Sequence, residues 1–277
     1  MILAGRLFAV LSALAGGLVG TALTSASVLA SCAGMAEAPR FAPHPYLLHA
    51  SAGDAAPRVP LGELRIRFLG HATFEIESPE GALVHTDYND YVRGSRVPDI
   101  VTMNLTHDSH YSRSPDPAIK HLLRGWDPDG GIARHNVHYR DMRVRNVPTN
   151  MVDRGEGRLA NGNSMFVIEA EGLCVLHISH LHHYLSKEQL TALGPIDVAF
   201  APIDGMWTMS HDELFRVLGD VRARLVIPMH FGSAQGVQAF VARAEKSWPV
   251  RRHDTDTLFV SLRSMPKTPE VVFLQGY

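Results

Sequence analysis

The 277-residue sequence predicts a layered α/β fold, and three features of its pattern indicate this class. Short apolar segments begin at Leu64 and recur through 99–103, as is typical of the strands of a β-rich first half. Two apolar runs that flank a Glu-Gly pair predict a hairpin at 164–179. After residue 186 the pattern changes to strands that alternate with helices, which favours helices packed against a sheet.

The individual elements follow from local pattern. Strands are predicted at 64–70, 72–78, 82–87 and 99–103, within 136–148, and at 164–179, 196–204, 224–232, 256–262 and 270–274. Helices are predicted at 186–193, 210–221 and 233–246. Ser186 and Ser210 are expected to cap the first two helices, because a serine hydroxyl accepts a hydrogen bond from an amide of the first turn. The Gly-rich segment 154–163 is predicted to be a bend.

The first 32 residues predict a secretory signal, since Arg6 is their only charge and the rest is apolar or small. This segment ends in LASC, which resembles the bacterial lipobox whose cysteine, here Cys32, is acylated. A plain cleaved signal and an uncleaved anchor helix remain open alternatives. Residues 33–62 are rich in Ala and Pro and predict a flexible tether, so residues 63–277 form the expected domain.

These features predict export, as a periplasmic or membrane-anchored lipoprotein of a bacterium. The net charge of −2 gives no electrostatic reason to expect a nucleic-acid partner. The expected partners are therefore the membrane, through the lipid anchor, and a small-molecule or lipid-like substrate.

Histidine carries the chemical signal. Three segments end an apolar strand in a histidine-bearing loop: VTMNLTHDSHYS, VLHISHLHHYL and VIPMHFGS. In layered α/β folds, sites form where strand ends lead into loops, because the sheet fixes those loops in space. Neutral imidazole is the commonest nitrogen ligand of metals, so the three segments together predict a metal site. Any one of these histidines could still be an ordinary loop residue.

The run from about Leu64 to Gly232 resembles the metallo-β-lactamase-fold hydrolases. It is most similar to the branch of ascorbate-6-phosphate lactonase-like and N-acylphosphatidylethanolamine-hydrolysing phospholipase D-like enzymes. The resemblance rests on FLGHATFEIES, TDYND, LSKEQLTALGPIDVAFAPIDG and IPMHFG. It implies an α/β fold of four αββα layers, with one or two metal ions at the edge where the two sheets meet.

The metal motifs depart from that family. Its usual His-x-His-x-Asp-His motif keeps only His107 at the first position, with His110 as a possible replacement. Asn150 or a neighbour stands where the family has another histidine, and the family's Gly-Asp pair becomes Ser179-His180. The last histidine of the family is intact as His230. Asp87 matches an acid that supports the site from behind the ligands.

These changes replace carboxylates with imidazoles. Because two dications need a bridging anion, a second metal is disfavoured by the change to His180. A single divalent ion, zinc with iron or manganese as alternatives, is expected on His107, His180 and His230, with His110 or Asp108 as a fourth donor. A two-metal site and a site that no longer binds metal remain open.

The predicted function is an exported hydrolase that uses a metal-bound hydroxide on an ester, lactone, amide or phosphodiester bond. Asp108 is the candidate base, and His183 and Trp207 are candidate substrate contacts. The alternative is a non-catalytic envelope module that binds a partner or acts as a scaffold. Catalysis requires His107, His180 and His230 to converge on one point, whereas the alternative predicts that these side chains point apart.

Overall fold

The computed structural model describes residues 59–153 and 157–276. The predicted signal, the lipobox with Cys32 and nearly all of the predicted tether lie outside the described residues. They stay predictions.

The described part of the chain contains fourteen strands and three α-helices. The strands are β1 (Leu64–Gly70), β2 (Thr73–Glu77), β3 (Leu83–His85), β4 (Ile100–Met103), β5 (His121–Arg124), β6 (Asn136–Tyr139), β7 (Met142–Asp153), β8 (Gly157–Ala170), β9 (Leu173–His177), β10 (Val198–Pro202), β11 (Leu225–Met229), β12 (Val250–Arg252), β13 (Thr257–Val260) and β14 (Glu270–Phe273). The helices are α1 (Lys187–Leu193), α2 (His211–Val221) and α3 (Ala234–Ala244).

The strands form two mixed sheets. One has six strands in the order β13-β1-β2-β3-β4-β5, and the other has eight in the order β12-β14-β11-β10-β9-β8-β7-β6. Strands β3, β4 and β5 run parallel in the first sheet, and β9, β10 and β11 run parallel in the second. The carboxyl ends of parallel strands lie at one edge of a sheet. The predicted α/β sandwich of the metallo-β-lactamase fold is confirmed.

The two sheets bury an apolar core between them. Phe74 on β2 and Phe200 on β10 stack at its centre, with ring centroids 3.8 Å apart and planes 16° apart. Both side chains are fully buried. Along β1 buried residues alternate with partly exposed ones, as its period-two pattern predicts, whereas β9, β10 and β11 are buried along their whole length because both faces of that sheet are covered.

The α-helices cover the outer face of the eight-stranded sheet, where their apolar side chains form a second core with that sheet. Ser186 and Ser210 cap α1 and α2 as predicted, and Gln189 and Glu213 complete reciprocal capping boxes. In the described ranges, no helix is both long enough and apolar enough to cross a membrane.

The outer face of the six-stranded sheet is polar. Arg65 and Arg96 form ion pairs with Glu75 and Glu77 across β1, β2 and the loop after β3. Burial opposes ionisation of Glu75, but the hydrogen bond to His85 and the charge of Arg96 lower its pKa to about 2. Among the described residues, this ionic network rather than a helix covers the face.

The structure differs from the sequence prediction at three places. Residues 157–163 were expected in a bend but belong to β8, which extends its pairing with β7 beyond an irregularity between Thr149 and Met151. The short strands β5 and β12 were not predicted, because three or four residues are too few to show a period.

Truncating Phe200 tests the inter-sheet core. Phe200→Ala should lower the free energy of unfolding by about 3–5 kcal/mol, because it removes a stacked ring and leaves a cavity between the sheets. Phe259→Ala is the control, since Phe259 on β13 is 41% exposed and its loss should cost less than about 1 kcal/mol. Urea unfolding measures both, and equal losses would contradict this account of the core.

Candidate metal centre

Four histidines from both sheets meet at the edge where the parallel strands end. His107 and His110 follow β4 and border a 3-10 turn at Asp108–His110. His180 follows β9, and His230 directly follows β11. One ring nitrogen of each residue lies within 4.8 Å of the corresponding atom of the other three. The two sheets thus bring together residues that are up to 123 positions apart, counted from 107 to 230.

Sharp bends at the strand ends place these residues. Four non-glycine residues of the centre and its surroundings have positive φ angles: His71 at 53°, Asp87 at 40°, Ser179 at 60° and His230 at 53°. Each follows a strand by one or two positions. The left-handed region costs a non-glycine residue on the order of 1 kcal/mol, and such strain is concentrated at functional sites. The fold maintains the bends despite this cost.

The spacing of the nitrogens suits one shared ion. His107 Nε2 lies 3.3 Å from His180 Nε2, and His110 Nε2 lies 3.3 Å from His230 Nε2. Nitrogens bound to one zinc ion at the usual distance of about 2.0–2.1 Å lie about 3–4 Å apart. Two of the six nitrogen–nitrogen distances are in this range, and all six are within 4.8 Å. The donor set therefore fits a divalent ion with a preference for nitrogen.

The opposite nitrogen of every ring is held by a neighbour. The Nδ1 contacts are His110 with Asp87 Oδ2 at 2.5 Å, His107 with Ser109 Oγ at 2.7 Å, His180 with His182 Nε2 at 2.8 Å, and His230 with Asp204 Oδ2 at 3.2 Å. The last contact is too oblique for a hydrogen bond, so it is electrostatic. Metal-binding histidines are commonly oriented in this way through the ring nitrogen that does not bind the metal.

The carboxylates face the Nδ1 side of two of the imidazoles. Asp87 pairs with His110 Nδ1, which leaves the lone pair of His110 on Nε2, and the Asp204 carboxylate lies beside His230 Nδ1. His110 Nε2 and His230 Nε2 then lie 3.3 Å apart, where both can bind one cation or share one proton. The arrangement is one that a metal ion would stabilise.

The imidazoles are held in the neutral form that binds metals. Burial lowers the pKa of His110 and of His180 well below 6.5, and the surrounding imidazoles lower both further. Burial and the nearby His230 lower the pKa of His107, and the same two causes lower the pKa of His71 to about 4. These rings do not need to lose a proton at pH 7 before they can coordinate an ion.

The two carboxylates differ in environment. Complete burial raises the pKa of Asp87, against the opposing effects of His177 and Asn104. Burial would also raise the pKa of Asp204, but the His230 imidazole and the hydrogen bonds from Thr208 and Met206 hold it below its usual range. Of these two carboxylates, Asp204 is therefore the one that is more readily ionised.

A buried amide joins the two sheets behind the centre. Asn104 Nδ2 donates to Asp87 Oδ1 at 3.2 Å and to Ser179 Oγ at 2.8 Å, while its Oδ1 accepts from the Ser164 amide at 2.8 Å. A Cβ on Gly125 would lie 2.1 Å from that Oδ1, so only glycine fits there. Asn104 thus fixes the support of His110 relative to the strand that leads to His180.

The other predicted residues lie around the four histidines. Asp108 is exposed beside His107, and its carboxylate accepts a hydrogen bond from the Tyr91 hydroxyl at 2.6 Å. Trp207 is 57% exposed in the turn after β10. His183 accepts from the Asn150 amide and contacts the Tyr184 carbonyl, so backbone groups engage both of its ring nitrogens.

Several supporting residues escaped the sequence reasoning. Asp204 follows β10 by two residues and lies beside His230, and the only sequence signal was an acid after an apolar run, in APID. Ser109 bridges His107 Nδ1 and His71 Nε2, and His182 supports His180. These contacts depend on tertiary placement, so the sequence pattern could not assign them.

Comparison with known proteins identifies the family of the chain. Residues 65–230 match the profile of the family described as the β-lactamase superfamily domain. Because the match spans more than half of the chain, the protein belongs to this family.

Relatives of the chain carry names that refer to metal-dependent hydrolysis. A Thermococcus onnurineus protein named UPF0173 metal-dependent hydrolase is 26% identical over 193 residues, or 61% of this chain and 85% of the relative. A Thermoplasma acidophilum protein of the same kind is 26% identical over 195 residues, or 64% of this chain and 87% of the relative.

Solved structures show the same fold. A Thermotoga maritima protein, a candidate Zn-dependent hydrolase of the metallo-β-lactamase superfamily, aligns with a TM-score of 0.56 at 25% identity and covers 76% of this chain and 98% of its own. A candidate metal-dependent hydrolase from Parabacteroides distasonis aligns with a TM-score of 0.55 at 14% identity, covering 76% and 94%, which is a likeness of fold.

The lowered pKa of His71 predicts a pH-dependent stability. Between pH 6.5 and about 4 the unfolded chain protonates this residue while the folded protein keeps it neutral, so its contribution to stability falls as the pH falls. His71→Asn should therefore reduce the loss of unfolding free energy between pH 7 and pH 5 by about 1 kcal/mol in chelator-treated protein. Asparagine tolerates the positive φ angle of this position. Equal losses in both proteins, measured by urea unfolding, would refute the assignment.

Proposed function

We propose that the protein is a metal-dependent hydrolase that acts with a single divalent ion. The observation that carries this proposal is the convergence of four imidazoles, each contacted at its Nδ1, on one point at the sheet edge. The alternative, a non-catalytic envelope module, predicted that these side chains point apart, and the geometry does not favour it. The family and the names of its relatives support the same class of reaction.

The donor set supports one ion rather than two. In the described residues the group of potential ligands contains only imidazoles. The family resemblance implies that His180 stands in place of a bridging aspartate. Two dications close together require a bridging anion to reduce their repulsion. Four nitrogen donors suit zinc, and iron or manganese are the alternatives.

The residues would divide the work as follows. His107, His110, His180 and His230 would hold the ion, which would supply Lewis acidity to water or substrate at a further, open coordination position. Asp87 keeps His110 in the tautomer that presents Nε2, and Asp204 does so for His230. The loops at the strand ends would orient an ester, lactone, amide or phosphodiester. The narrower lactonase-like or phospholipase D-like branch stays a proposal.

Asp108 is the proposed base. It adjoins His107, is exposed at the mouth of the site, and shares a hydrogen bond with the Tyr91 hydroxyl. Its carboxylate could accept a proton as substrate displaces that hydroxyl.

Substitution of Asp108 separates a catalytic role from a structural one. Asp108→Asn should lower kcat by about 100-fold or more with bound metal unchanged, because an amide cannot accept the proton. Tyr91→Phe, which removes the partner but keeps the carboxylate, should change kcat by less than about ten-fold. If Asp108→Asn retains full kcat, the base is another group.

Export and lipid anchoring are also proposed, with Cys32 as the acylated residue. Metabolic labelling with palmitate should mark the full-length protein and not the Cys32→Ala variant. Labelling of neither protein would reject the anchor.

Substitution of Asp87, the carboxylate that contacts His110 Nδ1, tests the proposed activity. Asp87→Asn should weaken zinc binding by about 10- to 100-fold, because His110 loses the carboxylate that orients it. Hydrolysis of a panel of nitrophenyl esters, lactones and phosphodiesters should then require correspondingly more zinc, while Asp116→Asn, outside the centre, should behave as wild type. If the wild type binds zinc but hydrolyses no bond in the panel, the hydrolase proposal fails for these substrate classes.

A further inference from the structure

The turn after β10 exposes two large apolar side chains that have no role in holding the metal. Met206 and Trp207 are 66% and 57% exposed, whereas Thr208 and Met209 beside them are buried. Adjacent large apolar side chains that are exposed to solvent commonly serve as contacts for a ligand.

One carboxylate holds this turn and a proposed metal ligand together. Asp204 Oδ1 accepts the amide hydrogens of Met206 at 2.9 Å, of Trp207 and of Thr208 at 3.1 Å. Its Oδ2 accepts the Thr208 hydroxyl at 2.6 Å and lies 3.2 Å from His230 Nδ1. Asp204 is 5% exposed, so these contacts are shielded from water and strong.

The turn is closely packed on both sides. Gly205 has a φ of 72°, and a Cβ there would lie 2.8 Å from His211 Nε2. A Cβ on Gly232 would lie 3.3 Å from Asp204 Cβ, so the segment after His230 packs against the aspartate. The Ile203 amide also donates to the Met229 carbonyl at 2.9 Å. The turn and His230 are therefore joined by direct contacts through Asp204 and its neighbours.

We propose that the turn at Met206 and Trp207 is the apolar subsite of this centre, and that Asp204 is the positioning residue that fixes it relative to the metal. The substrate class that follows carries an aromatic or other apolar group next to the bond that is hydrolysed. This inference rests on the proposed function, because it requires a metal on His230. It adds a specificity element that the four histidines do not supply.

Two metal-chelating probes test the subsite without knowledge of the substrate. Acetohydroxamate and benzohydroxamate share the chelating group and differ in the apolar group, so their affinity ratio on the zinc-loaded protein reports the apolar contact. Benzohydroxamate should bind wild type at least about ten-fold more tightly, and Trp207→Ala should remove most of that preference. Phe259→Ala, an exposed aromatic on β13, is the matched control and should keep the wild-type ratio.

Asp204→Asn tests the coupling. At saturating zinc, this variant should lose the preference for benzohydroxamate as Trp207→Ala does. In wild type, zinc binding should change the fluorescence of Trp207, and in Asp204→Asn it should not. That signal is assigned by comparison with Trp207→Phe, because Trp126 and Trp248 also emit. Thr208→Val, which keeps the carboxylate, provides a second variant if Asp204→Asn does not fold, and it should reduce the preference in part.

The outcomes separate this inference from the proposed function. If wild type takes up no zinc, the proposed function fails and this inference fails with it. If zinc and acetohydroxamate bind but Trp207→Ala keeps the wild-type ratio, the subsite is refuted while the metal centre stands. If Trp207→Ala loses the preference and both Asp204→Asn and Thr208→Val retain it, the positioning role of Asp204 is refuted.

Discussion

The close approach of two ring nitrogens, His110 Nε2 and His230 Nε2 at 3.3 Å, is the contact on which the rest of the site depends. The two rings are placed there with Asp87 and Asp204 behind them, on their Nδ1 sides. A cation bound at this point would be shared by both nitrogens. The fold thus assembles the donors in advance, which lowers the cost of ordering them when a metal binds.

The sheets make this preorganisation possible. Parallel strands in each sheet end at a common edge, and positive φ angles at His71, Asp87, Ser179 and His230 turn the chain there. Asn104 then links the two sheets directly behind the ligands. The inter-sheet core positions the strand ends. The geometry of the histidines therefore depends on the packing of Phe74 against Phe200.

The sequence predicted the parts of this structure that local pattern encodes. Apolar period and capping serines located most strands and helices, and histidines at strand ends located His107, His180 and His230. Asp204 was missed because its proximity to His230 arises from the pairing of β10 with β11, which no local pattern reports. His183 stays a predicted substrate contact, and its ring also bridges two backbone groups, a placement that no local pattern reports.

X-ray absorption at the zinc edge would test the central claim most directly. On zinc-loaded protein the account predicts a shell of nitrogen or oxygen at about 2.0–2.1 Å, with the scattering of about four imidazoles and no metal–metal vector. His110→Ala should lower the imidazole contribution by one. A short metal–metal vector at about 3.5–4 Å, or a shell dominated by carboxylate, would contradict a single ion held by four histidines.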